Sequence, residues 1–165
     1  RGTWVTGQWN DGVWKNGDWG NGVWNGGTWH NGVWNGGIWY DGTWLGGEWL
    51  RGGWRRGTWH AGQWKVGTWY NGEWRGGVWV NGDWYDGTWL GGEWLTGTWH
   101  DGEWLGGKWL GGSWLGGAWR GGDWVCGRWL GGIWHGGHIY DPDSNTNVYS
   151  HVSPKEYFLN KANGS

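Results

Sequence analysis

Large apolar residues recur at intervals of five along most of this chain, with small and polar residues between them. Tryptophan occupies every fifth position from Trp4 to Trp134, and a glycine stands two residues before each of these tryptophans. The residue between the glycine and the tryptophan is most often Thr, Val, Glu or Asp. A period this strict predicts a solenoid, because a five-residue unit can bury so large a side chain only against copies of itself.

The period of five favours short strands joined by corners. It matches neither the helical period of about 3.6 residues nor the alternation of a long strand, and a glycine in every unit would cost a helix about 1 kcal/mol each time. The residue before each glycine is mostly Asn, Asp or Gly, as in Asn16-Gly17 and Asp41-Gly42. Such steps tolerate positive φ in tight turns. We therefore predict an all-β fold in which Gly and Trp face inward and the last two residues of each unit turn the chain.

The unit Gly-x-Trp-x-[Asn/Asp/Gly], repeated over residues 2–141, resembles the repeat of the pentapeptide-repeat proteins. That family's unit has a small residue, a polar residue, an inward Leu or Phe, a variable residue and a turn residue. The resemblance implies a right-handed parallel β-helix of square cross-section, with four units per coil and about seven coils for a repeat array of this length. This chain departs from the family in using Gly and Trp throughout. We expect native-like core density, because the larger indole compensates for the methyl group that glycine lacks.

The number of sides is open between four, which we favour, and three. A three-sided coil would contain about 15 residues, and the segment at 39–50 recurs at 84–95, an offset of 45 residues that is divisible by 15 and not by 20. Against three sides, three indoles in a triangular layer would be crowded. In either coil the buried indole N–H donors need acceptors, for which corner carbonyls are the candidates.

Residues 142–165 break the repeat and form a C-terminal segment after the solenoid of residues 1–141. Ser153 with Glu156 three residues later is a capping box, and Pro154 suits the first position of a helix. These residues predict a short helix. An open solenoid end exposes an unpaired strand edge and apolar core, so we expect the helix to act as a cap. The predicted cap residues are Ile139, Tyr157 and Phe158.

Apolar residues recur directly after the tryptophans, mainly in the C-terminal half of the array. In a four-sided coil, positions four units apart would form one straight ladder on the outside, and an apolar ladder of this kind is typical of an interface. We therefore predict a side-by-side homo-oligomer; the alternative is that these leucines only cover the tryptophan wall. The predicted interface consists of Leu50, Tyr70, Leu90, Leu110 and Leu130 in the ladder, with Leu105 and Leu115 beside it.

Charge and residue spacing predict no catalytic, cofactor or metal site. The net charge is −2 with both signs interspersed, which predicts no nucleic-acid partner, and no apolar run is long enough to predict membrane insertion. The six histidines do not pair with Cys126 or with one another at metal-site spacing, and acidic residues occur singly rather than as a catalytic pair. We therefore expect the chain not to be an enzyme.

The repeat favours a structural role as a rigid rod in a fibre, spike, or surface or virion appendage, on a virion or outside the cell. Simple Gly-x-Trp arrays are loosely similar to the repeats of tailed-phage virion proteins. Two alternatives stay open: a binding module for glycans or a protein partner, including a host surface, and a pentapeptide-repeat regulator of a DNA-processing enzyme. Arg1 falls where the last residue of a preceding unit would stand, which predicts further repeats upstream of it.

Overall fold

The computed structural model describes residues 2–164, which form a parallel β-solenoid and one short C-terminal helix. The final repeat unit is the strand Gly137–Asp141, and the strand Thr146–Ser150 returns antiparallel to it. The helix spans Pro154–Ala162. The predicted all-β solenoid and C-terminal helix are thus confirmed, whereas the right-handed sense remains a prediction. Arg1, with the predicted upstream repeats, and Ser165 lie outside the described residues.

The coil has three sides, so the prediction of a square coil with about seven turns was wrong. Strands pair in parallel with those three units away, which places Trp49 between Trp34 and Trp64. Three sheets result, and the two that contain only repeat units each have nine strands, one for each of about nine turns. A triangular layer is not overcrowded, because indoles on adjacent sides meet edge to face. Trp44 and Trp49, for example, have ring centroids 6.0 Å apart and planes inclined by 72°.

Almost every strand is a pair of residues that ends at a tryptophan. The first sheet contains Gly2–Trp4, Gly17–Trp19, Val33–Trp34, Glu48–Trp49, Gln63–Trp64, Val78–Trp79, Glu93–Trp94, Lys108–Trp109, Asp123–Trp124, Gly137–Asp141 and Thr146–Ser150. The second sheet contains Gln8–Trp9, Val23–Trp24, Ile38–Trp39, Gly53–Trp54, Thr68–Trp69, Asp83–Trp84, Thr98–Trp99, Ser113–Trp114 and Arg128–Trp129. The third sheet contains Val13–Trp14, Thr28–Trp29, Thr43–Trp44, Thr58–Trp59, Glu73–Trp74, Thr88–Trp89, Glu103–Trp104, Ala118–Trp119 and Ile133–Trp134.

The tryptophans form three columns of stacked indoles that run along the axis of the solenoid. Within a column the rings are nearly parallel: the centroids of Trp44 and Trp59 are 4.7 Å apart and their planes differ by 6°. All tryptophans from Trp19 to Trp119 are completely buried. Stacked and edge-to-face pairs are both favourable for aromatic rings. The interior is therefore a single lattice of indoles, as the inward placement of tryptophan predicted.

The glycine of nearly every unit turns the corner with a positive φ. From Gly7 to Gly132 the φ of these glycines lies between 90° and 141°, a region that glycine adopts at little cost. Where Asp or Asn comes before the glycine, its side chain can accept a hydrogen bond from the glycine N–H, as Asp41 Oδ1 does from Gly42 at 2.8 Å. From Gly17 onward, a β-carbon on these glycines would lie against the backbone of the preceding coil. The glycines are therefore needed for coil stacking. At Gly67 the added carbon would also lie 3.2 Å from Trp49 Nε1, and that glycine makes room for the larger indole stays a prediction.

Few indole N–H groups have an acceptor. Trp29 Nε1 donates to the carbonyl of Gly46 at 3.2 Å and Trp94 Nε1 to that of Gly111 at 3.1 Å. Both acceptors are corner carbonyls, as the sequence predicted. The other indole nitrogens between Trp4 and Trp119 have no acceptor among the described residues. An unpaired buried donor costs about 1–3 kcal/mol, so ring stacking and the backbone ladders must supply the stability of the core.

Candidate interaction surfaces

The straight ladder predicted from the spacing of four units does not exist in a three-sided coil. Leu50 and Leu110 follow strands of the first sheet, and Leu90 and Leu105 follow strands of the third. The ladder was wrong because strands pair with those three units away, so that positions four units apart lie on different corners. Whether these residues form an interface stays a prediction. The other three residues of the predicted interface lie together on the corner after the second sheet: Tyr70, Leu115 and Leu130.

The corner that follows the second sheet carries the main aromatic stripe on the described surface. Of its residues, Tyr40, Tyr70, Tyr85, Leu115 and Leu130 are exposed by 38–48%. The stripe is visible in the sequence only when the chain is read at intervals of three units. We call this stripe the tyrosine ladder, and it consists of Asn10, Asn25, Tyr40, Arg55, Tyr70, Tyr85, His100, Leu115 and Leu130.

The middle of the tyrosine ladder is a continuous stack of side chains. The guanidinium carbon of Arg55 lies 4.2 Å from the centroid of the Tyr70 ring, which is the geometry of a cation–π contact. Tyr70 and Tyr85 stack with centroids 5.6 Å apart, and Tyr85 and His100 stack at 4.3 Å. Because these side chains cover one another's faces, they present ring edges and hydroxyl groups to solvent. Stacking of a sugar on an open ring face is therefore not available in this part of the ladder.

Charges beside the tyrosine ladder are separated along the axis. Arg55 and Arg56 lie in its N-terminal half, where Arg56 Nε is 3.0 Å from Asp41 Oδ2. This ion pair is exposed, so its contribution to stability is small. The C-terminal half carries three carboxylates, on Asp83, Asp86 and Asp101, and one arginine, Arg128. From Asn25 onward the N-terminal half is therefore net basic, with Arg55 and Arg56 outnumbering Asp41, whereas the C-terminal half is net acidic. Asp11 lies beside Asn10 in the first coil, before this basic stretch.

A polar cluster around Asp141 holds the C-terminal helix on the last coil. The buried carboxylate of Asp141 accepts hydrogen bonds from Lys161 Nζ at 2.6 Å and from the Tyr157 hydroxyl at 2.9 Å. Lys161 Nζ is also 2.8 Å from Asp143 Oδ2. The hydrogen bond from Lys161 has the largest effect on the pKa of Asp141, which it lowers together with the hydrogen bond from Tyr157 to about 2. The same bonds to Asp141 raise the pKa of Lys161 and of Tyr157.

The three predicted cap residues lie at this end of the solenoid. Ile139 takes the tryptophan position of the last unit, beside Trp124, and is completely buried. Tyr157 is half-buried against the core. Phe158 is 38% exposed and lines an open cavity of about 390 Å³ beneath the helix, together with Trp129 and other residues. Their action as a cap stays a proposal.

The Asp141 cluster should release the helix at acid pH. The pKa of Asp141 is about 2 in the folded chain against 3.8 for an unperturbed Asp, so the folded state binds this proton less readily than the unfolded state. The stabilisation is then present above about pH 4 and is lost as the pH falls towards 2. We expect hydrogen exchange of the helix amides, corrected for intrinsic rates, to lose protection over this range. In Asp141→Asn the helix should be loosened already at pH 6, and an equal acid-induced loss of protection in that variant would contradict the assignment.

Metal-binding and membrane-spanning features were sought among residues 2–164. No group of three or more His, Cys, Asp or Glu side chains is arranged to hold a metal ion there. No helix in the same part of the chain is long and apolar enough to cross a membrane. Cys126 is a free, exposed cysteine. The predicted absence of catalysis, cofactors and metals is not tested by these observations.

Comparison with known proteins yields only weak structural likenesses. No family model and no curated protein matches the chain. The polysialic acid O-acetyltransferase OatWY is 6% identical, with a TM-score of 0.20 and 89% of each chain covered. The polySia-specific acetyltransferase NeuO is 6% identical, with a TM-score of 0.18, 92% of this chain and 87% of that chain covered. At these TM-scores the likenesses carry no argument about activity.

Proposed function

We propose that this chain is a structural rod that forms part of a fibre, spike, or surface or virion appendage, and that it acts through stiffness and lateral self-association. In this proposal it is not an enzyme and has no cofactor or metal. It is located on a virion or outside the cell, and it binds neither nucleic acid nor the interior of a membrane. The observation that carries the proposal is the uninterrupted lattice of buried indoles along the whole repeat array.

The lattice supports stiffness along the axis. About nine coils at ~4.8 Å per coil make a rod roughly 40 Å long. Bending it would separate stacked indoles on one side, such as Trp64 and Trp79 at 4.8 Å, and compress them on the opposite side. Close-packed interiors resist such changes. Every unit repeats the same contacts, so a longer array would extend the rod without a change in design.

A protein-docking module is the second candidate, because the tyrosine ladder is exposed. Glycan binding is less favoured, since the central rings of the ladder cover each other's faces. A pentapeptide-repeat regulator of a DNA-processing enzyme is also less favoured. The resemblance to the pentapeptide-repeat family implies a four-sided coil, whereas this coil has three sides. The net charge of −2 also provides little mimicry of nucleic acid.

Sedimentation equilibrium over a wide range of protein concentrations tests the proposed self-association. We expect the mass of the wild-type chain to rise from that of a monomer to a multiple of it. Tyr70→Ser/Tyr85→Ser should remain monomeric with an unchanged circular dichroism spectrum, because it removes the exposed rings and leaves the core intact. Leu90→Ser/Leu105→Ser removes exposed apolar side chains from the rival predicted surface on the third corner and should associate as wild type does. A wild-type chain that stays monomeric at every concentration contradicts the proposal.

A further inference from the structure

We infer that the tyrosine ladder is the interface of an antiparallel homodimer, in which the basic half of each copy faces the acidic half of the other. This inference rests on the proposed self-association and specifies its surface and its geometry. A two-fold interface uses the same patch on both copies, so the patch must be complementary to itself. The tyrosine ladder meets this condition because its two halves carry opposite charge and its centre is aromatic.

The orientation follows from the charges. In a parallel dimer in register, Arg55 would face Arg55 of the second copy and Asp86 would face Asp86, and like charges brought together destabilise an interface. Turning the second copy end over end separates these like charges and brings one arginine of each copy to a carboxylate of the other. With the two-fold axis between the coils of Tyr70 and Tyr85, Arg56 lies at the height of Asp101 of the second copy.

The same axis also matches the apolar residues. Tyr70 of one copy then lies level with Tyr85 of the other, and Tyr40 lies level with Leu115. Tyrosine and arginine are enriched at the energetically dominant centres of protein interfaces. The stack of Arg55, Tyr70 and Tyr85 already orders these side chains within one copy, so association would cost less side-chain entropy than for free side chains.

The other two corners do not combine these features. The first corner carries Val80, Leu95 and Leu110, which are half-buried. On the third corner the exposed Leu90 and Leu105 lie between two residues of the same charge, Arg75 and Arg120. Neither has an aromatic stack with opposite charges at its two ends. The second corner is therefore the surface that a second copy of this chain fits best.

The dimensions of the ladder set the strength of the dimer. From Tyr40 to Leu130 it spans six steps between coils, about 29 Å at ~4.8 Å per step. A stable interface buries about 800 Å² on each partner, so a single corner with part of the flanking faces lies at the small end of the range. We therefore expect a weak dimer that dissociates on dilution and in high salt, because the charges beside the ladder are exposed.

Charge reversal tests the interface. Arg55→Glu/Arg56→Glu and Asp86→Arg/Asp101→Arg should each be monomeric when alone, at concentrations where the wild type is a dimer. An equimolar mixture of the two variants should form a heterodimer, since the net acidic ladder of one then faces the net basic ladder of the other. The four substitutions combined in one chain should restore the homodimer. Arg75→Glu/Arg120→Glu on the third corner changes charge to the same extent and should dimerise as wild type does.

Cross-linking tests the orientation. In a Cys126→Ser background, a chain with Asn25→Cys is mixed with a chain that carries Leu130→Cys, and a short bifunctional thiol reagent is added. The antiparallel dimer should give mainly the mixed product, because Asn25 of one copy lies level with Leu130 of the other. Mainly self-linked products would overturn the antiparallel arrangement. Charge-reversal variants that stay dimeric overturn the interface and leave the proposed self-association standing, whereas a monomeric wild type overturns both.

Discussion

Replacing Gly92 by alanine is expected to lower the free energy of unfolding by several kcal/mol. Gly92 has a φ of +103°, and a β-carbon there would lie against the carbonyl oxygen of Gly77 and 3.0 Å from its amide nitrogen. Overpacking costs roughly 1–3 kcal/mol, and a left-handed backbone on a residue with a side chain costs roughly 1–3 kcal/mol more. The neighbouring atoms belong to the backbone of the preceding coil, so they cannot move without disturbing the β-ladder.

The adjacent glycine provides the matched control. Gly91 has an ordinary φ, and its β-carbon would lie 3.6 Å from the carbonyl oxygen of Arg75, which is normal contact. Gly91→Ala should therefore shift the midpoint of denaturant unfolding little or upward, because alanine restricts the unfolded chain. Equal midpoints for Gly91→Ala and Gly92→Ala would show that the corner glycines are not required for coil stacking.

Truncation of a central indole is expected to have an effect of similar size. Trp79 stacks on Trp64 and Trp94 at 4.8 and 4.7 Å and meets Trp74 and Trp84 edge to face, both with centroids 6.0 Å apart. Trp79→Ala removes all four contacts and leaves a cavity in a close-packed lattice. Large-to-small replacements of buried aromatic residues cost about 3–5 kcal/mol. We expect thermal unfolding monitored by circular dichroism to show that the free energy of unfolding falls by this amount.

Val78 provides the control for this substitution. It precedes Trp79 in the same strand but points outward and is only half-buried, so Val78→Ala should change the free energy of unfolding by no more than about 0.5–1 kcal/mol. If Trp79→Ala and Val78→Ala unfold at the same midpoint, the indole does not occupy a dry, close-packed interior.

The solenoid could be predicted from the sequence because every unit satisfies the same local requirement. Trp4 to Trp134 share one spacing, and only contact between copies can bury them. The C-terminal helix was likewise predictable, since Ser153 accepts a hydrogen bond from the Glu156 amide at 3.3 Å, with Pro154 at the first helical position. In both cases the residues that determine the local structure are close neighbours in the sequence.

The number of sides could not be decided in this way. The units are equivalent in sequence, so the residues at one corner do not indicate how many corners make up a coil. The choice depends on how indoles from different units meet, and the edge-to-face contacts between columns that make three sides possible are not visible in a spacing of five. Because the tyrosine ladder appears only at intervals of three units, an error in the number of sides also misplaced the candidate interface. The Asp141 cluster was missed because Lys161 is 20 residues away in the sequence.

The most direct test of the three-sided coil is cross-linking between outward positions on successive coils. In a Cys126→Ser background, Thr43→Cys/Thr58→Cys joins positions that are paired in the third sheet. Thr43→Cys/Gln63→Cys joins positions that would be stacked in a four-sided coil. We expect a short thiol cross-linker to form an intramolecular product rapidly in the first variant and slowly or not at all in the second. Rapid cross-linking of residues 43 and 63, with none between residues 43 and 58, would contradict the three-sided solenoid.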